Sequence, residues 1–230
     1  APVHSLVAQV MEGVGVPDLI IQSGATPHEY SLRPSEATAL QNADLVFWVG
    51  PDLTPWLAEA LETLAPAAVL TSLLEVDGTI QLEFRKDALF EAHDHSDHDD
   101  HDDHDDHDDH SDHDDHDDHD DHGAHDPHAW LSPKNAMTWL DVIAGRLSAV
   151  DPINSDAYLA NAASGRAAIE ALIEEVEATL DPVRGREFIV FHDAYQYFET
   201  HFDFAASGAI SVSDASDPSP ARIAEIRGQV

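Results

Sequence analysis

No cysteine occurs in the 230 residues. A thiolate zinc site, an iron–sulfur cluster and a disulfide are therefore excluded within this stretch. Basic residues are scarce as well: 10 Lys+Arg stand against 46 Asp+Glu, a net charge of −36 with histidine neutral. Such a field repels nucleic acid and anionic membrane faces and attracts cations, so no nucleic-acid partner is expected. No apolar run approaches the roughly 18 residues that a membrane helix requires, so no membrane insertion of this segment is expected. Also missing are an H-E-x-x-H motif, paired carboxylates suited to acid–base chemistry, and the D-x-D-x-D-G loop of a calcium site. No signal peptide is visible. The chain opens in helix-like sequence, Pro2 to Met11, and stops at Val230 inside another helix-like pattern, so both ends are expected to be cut.

What is present suffices for a buried core, since 43 % of the residues are hydrophobic. Short apolar runs bounded by polar and turn residues, Asp18 to Ser23 and Asp44 to Val49, predict buried parallel strands. Pro34 to Asn42 and Pro55 to Leu64 predict helices with proline near the first position, and Ala67 to Thr71 another strand. This alternation implies βαβ units. Further on, Ser132-Pro133 opens a helix to about Ala149. A longer pattern from about Asp156 to Leu180, ended by Asp181-Pro182, would span about 37 Å at the α-helical rise. Glu187 to Phe191 predicts a strand, Tyr195 to Phe202 a helix, Ala205 to Ser211 a strand, and Pro220 to Gln229 the beginning of a last helix. The fold class is α/β. One lobe with a parallel sheet occupies 1–151, a connecting helix 152–181, and the start of a second, incomplete α/β lobe 182–230.

Between Asp94 and Asp126 the chain is almost wholly His and Asp, mostly as a His-Asp-Asp repeat, and this stretch holds 18 Asp. Removing them still leaves 28 acids against 10 bases, so the acidic field is not the work of this segment alone. With no apolar residue from Asp94 to Gly123, nothing offsets the entropy of ordering, and a long disordered loop is expected. Its histidines, His93, His95, His98, His101, His104, His107, His110, His113, His116, His119, His122 and His125, form a cation-binding tract of individually weak sites. A solvated acidic linker would not need a histidine at every third position.

Five histidines lie elsewhere: His4, His28, His128, His192 and His201. His28 follows the first predicted strand, His192 directly follows EFIVF, and His128 sits in DPHAWLSP just before a helix. In parallel α/β sheets, ligands bind beyond the carboxyl ends of strands. Three neutral imidazoles from three such loops, with one more group, satisfy tetrahedral zinc, although imidazole also suits copper and nickel. A single strand-end histidine is ordinarily a hydrogen-bonded turn residue; the adjacent tract tips the reading towards metal. Asp193 has two readings, a partner for a metal-bound imidazole or a helix N-cap. His4 and His201 are expected at the surface, and Trp48, Trp56, Trp130 and Trp139 in core or lobe packing.

The blocks GATPHEYSLRPSEATALQNADLVFWVGPDL, DPHAWLSPKNA and VFHDAYQYFE, in this order with the charged tract between the first two, resemble the zinc-specific substrate-binding proteins of ABC importers, the ZnuA family. The resemblance implies two Rossmann-like lobes joined by a long rigid helix, with the metal in the cleft between them. It implies a non-enzymatic, periplasmic, monomeric receptor that delivers Zn²⁺ to the membrane permease of an ABC importer. By motif match, His28, His128 and His192 would be its three ligands. Pro27 stands where some members carry glutamate, so the fourth ligand is expected to be water or a carboxylate beyond residue 230. The family's first strand is expected just before Ala1.

Two other functions compete: a zinc hydrolase or hydratase built on three histidines and water, and a storage or adhesion protein whose function is the tract itself. Deleting Asp94 to Asp126 is expected to leave one tight zinc per chain and to remove several weaker ones in a metal titration. Cells with the deletion would then grow slowly on limiting zinc; harm confined to zinc excess would point to buffering instead.

Overall fold

The computed structural model describes residues 1–85 and 125–211. The histidines from His93 to His122 and the helix expected over Pro220 to Gln229 lie outside the described residues. The described chain is α/β and carries two small parallel sheets, separated in sequence by a pair of long helices.

The first sheet pairs β1 (Leu45–Trp48) with β2 (Val69–Ser72), Leu45 opposite Val69 and Trp48 opposite Ser72. The crossover between them holds α3 (Pro55–Leu64), and α2 (Pro34–Gln41) precedes β1. Both helices start at a proline, whose fixed φ and missing N–H suit the first helical position. Their inner faces make a small core of Leu40, Val46, Leu57 and Leu61, with Trp48 and Trp56 packed against it.

The main core lies among α1 (Pro2–Val10), α4 (Pro133–Val150) and the 26-residue α5 (Ser155–Leu180). Trp139, Leu140, Ile143 and Ala144 of α4 are fully buried there, with Val10 of α1 and Tyr158 and Ala162 of α5. Ser132 caps α4 by accepting the Asn135 N–H. Asn135 in turn stitches the segment after β2 to this helix: its Oδ1 accepts from Ile80 N at 2.7 Å, and its Nδ2 donates to Ile80 O and Ala129 O, both at 3.0 Å. The second sheet pairs β3 (Ile189–His192) with β4 (Gly208–Ser211), again in parallel, across α6 (Gln196–Phe202). Tyr197 of α6 reaches back into the main core and is 1 % exposed.

One predicted strand is missing. Asp18 to Ser23 forms no ladder. Ile20 of this run packs against the small core that contains Val46 of β1, and a cavity of about 590 Å³ is lined by Ile20 and Ile21 together with Leu45, Val46 and Phe47. Apolar composition favours a strand, but a strand exists only through a neighbouring backbone in hydrogen-bonding range, and this run packs through its side chains without a ladder. His4 and His201 are half-buried, not surface residues: His4 Nε2 lies 3.1 Å from the Pro17 carbonyl, and His201 packs its ring edge against Phe202. Of the four tryptophans, Trp139 is core, and its indole donates to Thr79 Oγ1 at 3.0 Å.

Gly165, a weak point in α5 by helix propensity, lies close against α4 and α1. A Cβ there would meet Leu140 Cδ1 at 2.9 Å and Gln9 Cδ at 3.0 Å. Leu140 is fully buried and has little room to yield. Gly165→Val is expected to lower stability by about 1–3 kcal/mol, as overpacked cores do, despite a better helix former than glycine. Urea unfolding midpoints of parent and variant measure this.

Candidate metal centre

His28, His128 and His192 come together. One nitrogen of each lies within 4.8 Å of the others. The ring centroids are 5.7 Å apart for His28 and His128, 6.0 Å for His28 and His192, and 4.9 Å for His128 and His192. His128 is buried and the other two are half-buried. Each is held by a different device. His192 ends β3, so the β3–β4 ladder fixes its backbone. His128 precedes a short 3₁₀ turn, Ala129–Leu131, that leads into α4, and its ring meets Trp130 edge-on at 5.3 Å.

His28 was expected to follow a strand; with Asp18 to Ser23 unpaired, it lies on a loop held by side chains. The Trp56 indole donates to the Pro27 carbonyl at 2.8 Å, one residue before His28. On the other flank Glu36, buried at the start of α2, accepts from Arg33 N and from Tyr30 Oη at 2.8 Å each, and from Gln22 Nε2 at 3.3 Å. The Arg33 N–H above all holds the Glu36 carboxyl below its ordinary pKa, so the anchor stays ionised and accepting. Trp56 is therefore more than packing.

Asp126 is the residue that sequence reasoning assigned to the tract and missed as part of the centre. It is 2 % exposed. Its Oδ1 lies 2.7 Å from His128 Nδ1 and accepts the His128 backbone N–H at 2.9 Å. A carboxylate at Nδ1 keeps the proton on that nitrogen, turns the ring and leaves Nε2 its lone pair for an ion. The signal was available: an aspartate two residues before the histidine in DPHAW, beyond the His-Asp-Asp repeat. His125, also counted with the tract, is half-buried and forms an antiparallel bridge with Glu83. Its Nδ1 lies 3.9 Å from Asp52 Oδ2.

Asp193 is not the N-cap of α6, which starts after Tyr195 without a side-chain cap. It is buried and pairs with Arg85. Burial pushes the Asp193 carboxyl above its ordinary pKa, and the guanidinium opposes that rise. Arg85 was not singled out from sequence. The clue is that Arg85 and Lys86 are the only bases between Glu75 and Pro133.

Three imidazoles converging without a carboxylate among them make a donor set for a borderline metal ion such as zinc. The profile of the family described as zinc-uptake complex component A, periplasmic, matches residues 1–230. The chain belongs to the ZnuA family. It is 52 % identical over 231 residues to the high-affinity zinc uptake system protein ZnuA of Paracoccus denitrificans (strain Pd 1222), covering 99 % of this chain and 70 % of that protein. It is 46 % identical over 236 residues to the protein of the same name from Brucella abortus (strain 2308), covering 100 % of this chain and 71 % of the relative. A crystal structure of a ZnuA superposes with a TM-score of 0.73 at 23 % identity, covering 99 % of this chain and 74 % of that one, a likeness of fold. ZnuA proteins are zinc-binding components of a transport system, not enzymes, which removes the hydrolase reading. Among the described residues no helix is long and apolar enough to cross a membrane.

Replacing Asp126 by Ala, with His128 left in place, is expected to weaken metal affinity by about 10- to 100-fold, the usual effect of losing the partner of a ligating histidine. Competition against a zinc chelator measures it. A deletion that isolates the tight site must accordingly stop before His125.

Proposed function

We propose that this chain captures a single zinc ion between His28, His128 and His192 and delivers it, as a periplasmic monomer, to the membrane permease of an ABC importer. The observation that carries the reading is the approach of three imidazole nitrogens to within 4.8 Å of one another. At Zn–N bonds of about 2.0–2.1 Å, tetrahedral ligands sit roughly 3.4 Å apart, so rotamer adjustment of about 1 Å closes the set around an ion. The fourth position goes to water or to a carboxylate beyond residue 230. An ion bound mainly by neutral nitrogen donors is released without breaking a carboxylate cage, which suits cargo.

The lobes are read as 1–151 and 182–230, with 152–181 as the connecting helix and the ion in the cleft between them. The His/Asp tract enters this scheme as a set of auxiliary weak sites. It raises the local concentration of ligands where zinc is scarce.

Zinc ligands must be deprotonated, so affinity is expected to fall as pH drops through about 6 to 5, where imidazoles take up protons. In the complete protein, with a chelator that silences weak sites, His28→Ala, His128→Ala or His192→Ala should each weaken zinc binding far more than His4→Ala. Unchanged affinity in the His192 variant would remove that residue from the site.

A further inference from the structure

Next to His192 in the chain, Asp193 belongs to a second polar cluster, outside the group of three histidines. Arg85, half-buried at the entrance to the tract, binds two carboxylates at once. Its Nε donates to Asp193 Oδ2 at 3.2 Å, and Nη2 donates to Asp193 Oδ1. Its Nη1 donates to Glu199 Oε2 at 2.7 Å, and Nη2 to Glu199 Oε1 at 3.2 Å. Asp193 and Glu199 are 6 % and 5 % exposed. Two carboxylates buried side by side repel each other and have lost their water, so a cation between them is a condition of that packing. Only a planar guanidinium presents donors to both in fixed directions; an ammonium is a single point charge. Burial works against the charge on Arg85, but the bonds from Glu199 and Asp193 more than offset it and raise its pKa.

The position matters as much as the chemistry. Asp193 directly follows His192, and its own N–H donates to Ser211 O at 3.0 Å. Glu199 sits on α6, where Oε2 also accepts the Ala206 N–H at 3.2 Å. Arg85 reaches them from the other half of the chain, two residues beyond Glu83, whose bridge to His125 lies beside Asp126 and His128. The guanidinium thus joins the turn that carries His192 to the segment that braces His128.

We propose that Arg85 is a positioning residue for zinc: it holds the turn after His192 so that this ring meets the ion in register with His128. The proposal rests on the reading of His192 as a ligand. Without Arg85 the turn loosens while the other two rings keep their own anchors.

The test uses the complete protein, with chelator competition for zinc and one equivalent of cobalt(II) as a visible probe of coordination geometry. Arg85→Ala is expected to weaken zinc by about 10- to 100-fold, the range seen when residues that orient ligands are lost, and to dim the intense bands of tetrahedral cobalt. Arg85→Lys should recover only part of both. The triple variant Arg85→Met, Asp193→Asn, Glu199→Gln removes the unpaired charges as a cause of misfolding, and should fold yet keep the weakened binding and altered spectrum. Parental affinity and an unchanged cobalt spectrum in Arg85→Ala or in the triple variant would overturn the proposal. A His192→Ala variant with parental spectrum and affinity would overturn the ligand reading beneath it, whatever Arg85 does.

Discussion

Asp126 is bonded through four polar atoms to three different parts of the chain. Its N–H donates to Leu82 O at 2.8 Å, and its carbonyl accepts the Tyr197 hydroxyl at 2.8 Å. Oδ1 serves His128, and with the Gln196 amide turned so that its nitrogen faces both acceptors, that nitrogen donates to Oδ2 at 3.1 Å and to Glu83 O at 3.0 Å. Tyr197 closes the circuit by accepting the Leu82 N–H at 3.0 Å. Burial pushes its phenol up to about 12, so the hydroxyl remains a donor at any physiological pH. A buried carboxylate is tolerable only when so satisfied. The segment leaving β2, the approach to α4 and the helix after β3 must therefore come together, and the histidines come with them.

The sheets alone could not do this. Each has two strands of four residues among the described elements, and two-stranded pairs are marginal without packing. Only His192 takes its place from a ladder. His28 depends on Trp56 and Glu36, and His128 on Asp126. Each histidine is thus flanked by a buried polar group that an apolar residue could not replace, since the loss would leave a partner unsatisfied at about 1–3 kcal/mol or more. Precision at the centre comes from side-chain hydrogen bonds laid over a modest scaffold.

The helices were the most legible part of the sequence. Proline at the first position marks α2, α3 and α4, and α5 runs to Leu180 as the Ala/Glu/Leu pattern predicts, because helix signals are local in sequence. Strands β1 to β4 fell within two or three residues of expectation. Asp18 to Ser23 failed because pairing is a property of the neighbour and not of the run. The meeting of His28, His128 and His192 was legible through the motif blocks, whereas their supports were not. Arg85 and Glu199 are 114 positions apart, and no local pattern links them; Asp126 was concealed by the repeat it adjoins.

The bridge between Glu83 and His125 brings the two edges of the tract to adjacent points on the protein. The supports of the metal centre stay close to those points: Asp126 lies one residue outside the bridge and Arg85 two residues inside it. Segments inserted between closed ends can change length without moving the structure that bears them. The number of His-Asp-Asp units can therefore change without displacing the three imidazoles.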